Sequence, residues 1–198
     1  VQQITFHAGT HQFHTHVPFV SERLAENIAP CVIAAQHLGM HVRDIVDAIA
    51  TLTLPPATLE VYPYQQSIII DDSYNANPDG FKAALEVLST FDSKYRRIVV
   101  TRGFVELGTA AEERHQEIAG AISYTADELV LISTDYQEAI ERGLVATKYK
   151  TELQVVTDHM ALLTYLRAKA QQPCVILLEN IIPALVYQEL KRERNAIL

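Results

Sequence analysis

Within seven consecutive positions the chain sets two carboxylates, a hydroxyl, a phenol and two amides: Asp71, Asp72, Ser73, Tyr74, Asn75 and Asn77. Carboxylates accept hydrogen bonds and amides both donate and accept, so this set suits recognition of a polar small molecule. The same residue types are also ordinary turn and cap formers. Ile68, Ile69 and Ile70 immediately before them form a β-branched apolar run, the mark of a strand buried on both faces. Asn77 is a good N-cap and Pro78 suits the first helical position. Phe81, Ala84, Leu85 and Leu88 then recur at helical spacing. The reading is strand, polar loop from Asp71 to Asn77, then helix. In open α/β sheets the loop edge of such a unit is where ligands bind.

Three other places carry groups capable of chemistry. Glu106 lies in R-G-F-V-E-L-G, Arg102 to Gly108, ahead of a helix bearing His115. Glu106 either orients a loop or caps local backbone, and His115, on a Glu-rich helix, reads equally as a surface ion-pair partner or as a catalytic group. Glu179 and Asn180 follow the apolar run Cys174 to Leu178. Near the start, His7, His11, His14 and His16 suggest a metal, since neutral imidazole is a common ligand. No carboxylate or cysteine accompanies them and the spacing fits no closed zinc pattern. They are read as solvated strand histidines, and no metal is assigned.

The elements that must position these groups fall into two parts. Val1 to Val20 predicts two short strands turned at Ala8-Gly9-Thr10. Glu22 to Leu38 predicts a helix capped by Ser21, with a stripe of Leu24, Ile28, Cys31, Ala35 and Leu38 and a stop at Gly39. Val42, Ile45, Val46 and Ile49 mark a second helix. Leu54-Pro55-Pro56-Ala57 is the boundary, because two prolines cannot continue a helix and stiffen the link. Two domains are therefore expected, 1–54 and 55–198. Beyond the boundary, strands at Arg97–Thr101, Glu128–Ser133, Gln154–Thr157 and Cys174–Leu178 alternate with helices. These run over Glu112–Ile122, Tyr136–Leu144 (closed by Gly143) and His159–Ala170. Such alternation predicts an α/β, Rossmann-like, mostly parallel sheet covered on both faces. Tyr187 to Leu198 reads as a charged helix or frayed tail.

Composition narrows the class. Hydrophobic content of 48% with 20% charged residues is that of a soluble globular chain, and a net charge of −8 argues against a general nucleic-acid binder. Cys31 and Cys174 sit in apolar runs and read as buried free thiols, which suits a reducing cytoplasm. No apolar run approaches a membrane span and no signal peptide is visible.

The string D-D-S-Y-N-A-N-P, Asp71 to Pro78, resembles the motif that opens the C-terminal domain of the Mur ligases. Glu106-Leu107-Gly108 with His115, and the helix pair from Glu26 to Ile49, are similar to further stretches of that family. The likeness runs closest to the branch that adds D-alanyl-D-alanine to a UDP-muramoyl-peptide. It implies that 1–54 is the end of an ATP-binding central domain and 55–198 the C-terminal domain. The implied reaction is ATP-dependent amide-bond formation through an acyl-phosphate, with ATP and Mg²⁺ as cofactors, in a cytoplasmic, monomeric enzyme of peptidoglycan precursor synthesis. The residues implied to meet nucleotide are Asn27, against adenine, and Asp72, Tyr74, Asn75 and Asn77 in the loop. Asp72 either accepts from ribose or organises that loop. Glu106, Glu179 and Asn180 fall on the substrate side.

The chain also departs from the family. Thr58 stands where a linker arginine is usual, Gly103 where an aspartate is usual, and Leu178-Glu179-Asn180 where Lys-Gly-Ser is common. No G-x-x-x-x-G-K-[ST] loop is present, so the chain by itself is expected to be inactive, as the closing half of a ligase. Two alternatives stand beside this one: a non-catalytic nucleotide-binding or interaction module derived from a Mur ligase, and a ligase like folylpolyglutamate or cyanophycin synthetase.

Overall fold

The computed structural model describes residues 2–8, 11–17, 25–74, 76–148 and 150–195. It divides into two compact units, Val1–Pro55 and Pro56–Leu198.

In the first unit, β1 (Gln2–Ala8) and β2 (His11–Val17) pair antiparallel, with Gln3 opposite His16 and Phe6 opposite Phe13. Strand alternation buries Thr15 and Val17 and leaves His14 and His16 exposed, as is His7. His14 Nδ1 sits 3.0 Å from the Thr5 hydroxyl. Helix α1 (Ile28–His37) is followed by α2 (Val42–Ala50). The expected start of the first helix, at Ser21 and Glu22, lies outside the described residues, as does the turn at Gly9-Thr10. Gly39 takes φ +84° and ends α1, a left-handed stop that costs glycine little. The buried stripe differs from the one expected. Ile28, Val32 and Ala35 meet Val17, Ile45 and Ile49, whereas Cys31 is exposed and Leu38 is 83% exposed. A core this small covers only about one turn-width of the helix, so a three-four spacing could not say which apolar residues it reaches.

The second unit is a six-stranded sheet in the order β3-β4-β8-β5-β6-β7. Its strands are β3 (Glu60–Tyr64), β4 (Ser67–Asp72), β5 (Arg96–Thr101), β6 (Glu128–Leu131), β7 (Glu152–Val155) and β8 (Cys174–Glu179). β3 is antiparallel to β4; the other pairs are parallel. Helices α3 (Pro78–Ser89), α4 (Ala111–Thr125) and α5 (Gln137–Val145) cover one face, with Phe81, Leu85, Leu88, Ile118, Ile122 and Ile140 packed on Ile70, Val99 and Leu177. Helices α6 (His159–Lys169) and α7 (Ala184–Asn195) cover the other, with Leu162, Leu166, Val186 and Leu190 on Ile69, Ile98 and Ile176. Covering both faces is why β4, β5 and β8 read as unbroken apolar runs.

Three local expectations change. β4 continues through Asp71 and Asp72, which their acidity alone would put at the start of the loop, because they pair with Leu178 and Glu179. β7 lies two residues earlier than expected. Gly143 is inside α5 rather than closing it: a Cβ there would stand 2.4 Å from the Gln116 carbonyl oxygen of α4, so the glycine permits close helix packing.

Candidate functional site

The chain winds β4, β5, β6 and β7 in one direction across the sheet, and β8 then returns to lie between β4 and β5. The loops leaving β4 and β5 lead to one face and the loop leaving β8 leads to the other. The C-terminal ends of these three strands thus form a topological switch point. Register sets Asp72, Glu179 and Thr101 side by side there.

Each strand end is tied down by its own groups. The Ser73 N–H and hydroxyl both donate to Asp71 Oδ1, at 3.2 and 2.5 Å. Burial raises the Asp71 carboxyl above its usual range and the Ser73 bonds oppose that rise. Asp72 Oδ1 accepts from the Leu59 N–H at 3.0 Å, while the Tyr74 N–H donates to the Ala57 carbonyl at 3.0 Å. These two bonds hold the segment after the proline pair, where Ala57 and Leu59 have left-handed φ values of +57° and +46°. Burial pushes Asp72 up to about 6, against the bond from Leu59. Glu179 is fully buried beside it, and burial together with the Asp72 charge holds it well above the ordinary carboxylate range.

The turn after β5 is fixed from three directions. The Gly103 N–H donates to Thr101 Oγ1 at 3.0 Å, the Asn180 side-chain amide donates to the Gly103 carbonyl, and the Phe104 N–H donates to His115 Nε2 at 2.8 Å. His115 also meets the Ala111 carbonyl through Nδ1 and stacks on Tyr136 with ring centroids 3.9 Å apart. Its burial lowers its basicity. Gly103 has φ +83°, and a Cβ there would approach His115 Nε2 to 2.6 Å.

The sequence-predicted residues thus separate. Asp72, Glu179 and Asn180 come together at the rim, the last two with no exposed surface. Tyr74 is 73% exposed on the loop. Asn77 caps α3, its side chain accepting from the Gly80 N–H at 2.8 Å. Asn75 lies outside the described residues. Glu106 is exposed on the turn before α4, with φ +62°. Asn27 belongs to the first unit, where it is exposed at the start of α1 and lines an apolar groove of about 340 Å³ with Ile28, Val32 and Ile45.

Of the two readings of His115, the surface ion-pair partner is overturned, because the residue is 0% exposed. The signal was present: His115 falls in the stripe Ala111, Ile118, Ala119, Ile122 that α4 turns to the core. Sequence reasoning also passed over Arg102, half-exposed at the end of β5, which makes no ion pair or side-chain hydrogen bond among the described residues.

Residues 59–179 match the family model described as the glutamate ligase domain of Mur ligases. The chain belongs to this Mur ligase family. Among curated Mur ligase proteins, it is 27% identical over 111 residues to the UDP-N-acetylmuramoyl-tripeptide–D-alanyl-D-alanine ligase of Borreliella burgdorferi, covering 56% of this chain and 24% of that protein. It is 23% identical over 162 residues to the enzyme of the same name from Bacillus subtilis, covering 81% of this chain and 35% of that one. The alignments therefore span about a quarter to a third of those relatives' lengths. The fold is shared with MurF from Acinetobacter baumannii, at TM-score 0.80 and 21% identity over 96% of this chain and 42% of that one. It is shared too with MurF ligase from Thermotoga maritima in complex with ADP, at TM-score 0.76 and 21% identity over 99% and 44%.

Proposed function

We propose that this chain is the C-terminal part of a cytoplasmic, monomeric, ATP-dependent ligase of peptidoglycan precursor synthesis, joining D-alanyl-D-alanine or a related amine to a UDP-muramoyl-peptide. The observation that carries the reading is the motif Asp71–Pro78 at the switch point of the sheet, inside the region that matches the family. The names of the relatives and the ADP complexed with the Thermotoga maritima ligase point the same way. Residues 1–54 are read as the end of the ATP-binding central domain and 55–198 as the C-terminal domain. The exposed Ile33, Leu38, Met40 and Leu52 of the first unit suit a piece of a larger domain.

In this reading Tyr74, Asn75 and Asn77 lie on the nucleotide's loop, Asp72 organises it, and Asn27 meets adenine from the other domain. Arg102, which makes no ion pair among the described residues, is suited to phosphate. Glu106 faces the substrate side, with Glu179 and Asn180 acting behind it on the rim. ATP would supply the γ-phosphoryl group that turns the peptide's carboxylate into an acyl-phosphate with release of ADP, and attack by the amine would then release phosphate as the amide forms. Among the described residues no three potential ligands converge on a metal position, and in this reading Mg²⁺ would be held mainly by the ATP-binding part of the ligase and by the phosphates themselves.

The test is phosphate release from ATP in the presence of UDP-muramoyl-tripeptide and D-alanyl-D-alanine. The 198-residue chain should give none, and a longer polypeptide carrying a P-loop upstream should turn over. Hydrolysis of ATP by the 198-residue chain alone would overturn the reading, and so would a longer polypeptide that binds nucleotide without ligating.

A further inference from the structure

Glu179 is buried without exposed surface, and neither of its oxygens meets an N–H or hydroxyl donor of the protein. Its neighbour on the adjacent strand is another carboxyl, Asp72, by register and on the same face of the sheet. Among the described residues no cation compensates the two. Asp71, next along β4, turns to the opposite face, where Ser73 bonds its Oδ1, and its charge still raises Asp72; from the preceding segment the Leu59 N–H donates to Asp72. From β5 they face Thr101, whose hydroxyl oxygen accepts from Gly103. From α4 the ionisable group at the Gly103 turn is His115, both of whose nitrogens are engaged with Phe104 and Ala111.

Two ionised carboxylates side by side in such a place would repel each other and lose hydration together. Two neutral acids would forgo the strong O–H···O⁻ bond that one proton makes possible. We propose that Asp72 and Glu179 hold one proton between them at neutral pH, resident on Glu179, and that this bond ties the end of β4 to the end of β8. The bond keeps Asp72 aimed at the Leu59 N–H and so positions the segment and loop at the rim. Burial displaces both carboxyls upward, while the bond between them pulls Asp72 down and pushes Glu179 further up, the split expected when Glu179 keeps the one proton. If the rim meets nucleotide, as the functional reading has it, the pair presents one negative charge to the phosphates instead of two.

A carboxyl whose folded pKa is raised gives stability that is present below its unfolded pKa and lost as pH rises through the folded one. The loss begins near the unfolded carboxylate range, about 4, and continues past neutrality as Glu179 ionises. His115, lowered by burial, acts oppositely and only below its unfolded value of 6.5. Cys174, whose buried thiol is raised, adds a loss of the same sign only as pH nears the unfolded thiol value of about 8.5, so the interval from about pH 6.5 to 7.5 isolates the pair.

The experiment is urea unfolding of the 198-residue chain across that interval, for the wild type and Glu179→Gln, whose amide N–H replaces the shared proton permanently. The wild-type midpoint should fall with rising pH and the variant's should stay level, so that the curves cross or diverge. Parallel curves would overturn the proposal. Should the variant not fold, carboxyl ¹³C titration of the Glu-labelled wild type decides: Glu179 stays protonated at pH 7 if the pair holds a proton, and a midpoint near 4 refutes it. Neither readout involves nucleotide, so its outcome is separable from that of the ligase assay.

Discussion

Two glutamates of the second unit are buried to the same degree, Glu128 at 1% exposure and Glu179 at 0%, and the protein surrounds them in opposite ways. Glu128 opens β6, at the N-terminal edge of the parallel strands. It accepts from Lys169 Nζ at 2.6 Å, from Arg96 Nε at 3.2 Å and from the Tyr165 hydroxyl. Burial by itself would raise its pKa, but the bonds from Lys169, Tyr165 and Arg96 outweigh burial and the net shift is downward. Glu179 closes β8 at the C-terminal edge with no cation beside it among the described residues. One edge of the sheet is electrically complete and serves the fold. The other keeps an unneutralised acid at the switch point, an arrangement poor for stability and common where a site is being prepared.

Stripping the complete edge gives the largest expected effect. The double variant Arg96→Met/Lys169→Met leaves Glu128 a buried carboxylate with only Tyr165, and should cost about 3 to 5 kcal/mol in urea unfolding at neutral pH. A cost under about 1 kcal/mol would mean that the two edges differ less than their contacts suggest. Next comes the same substitution at both acids. Glu128→Gln discards charge-assisted bonds and should lose about 2 kcal/mol at pH 8, whereas Glu179→Gln should gain stability there. Because Glu128 is lowered, its contribution is present above about pH 4.5 and lost as pH falls, the mirror of the Glu179 trend. Equal signs for the two variants at pH 8 would break the comparison. The smallest effect concerns the loop between strand and helix: Asn77→Ala removes a cap and should cost about 1 kcal/mol, equally at every pH from 6 to 8 because no titrating group takes part.

Much of this was legible in the chain. Three isoleucines located β4, and an Asn-Pro pair with a helical stripe placed the cap and the start of α3. What escaped was whatever depends on a partner far along the sequence. Asp71 and Asp72 look like loop because they are acidic, yet Leu178 and Glu179 beside them extend the strand. His115 looks like surface because its neighbours are glutamates, while the residues one turn away turn it inward against Gly103 and Tyr136. Gly143 looks like a terminator until Gln116 is seen against it. Polarity and local spacing describe a residue's own preferences, and these three positions are decided by what the tertiary structure sets next to them.

The position of β8 has a consequence for the order of assembly. The strand that completes the middle of the sheet is the last to leave the ribosome: Ile68 waits for Val175, and Arg97 for the same residue from the other side. Until then the hairpin of β3 and β4 and the run from β5 to β7 have no backbone partner in common. The keystone is the last of the six strands to be made, and two apolar seams stay open in the nascent sheet until it emerges.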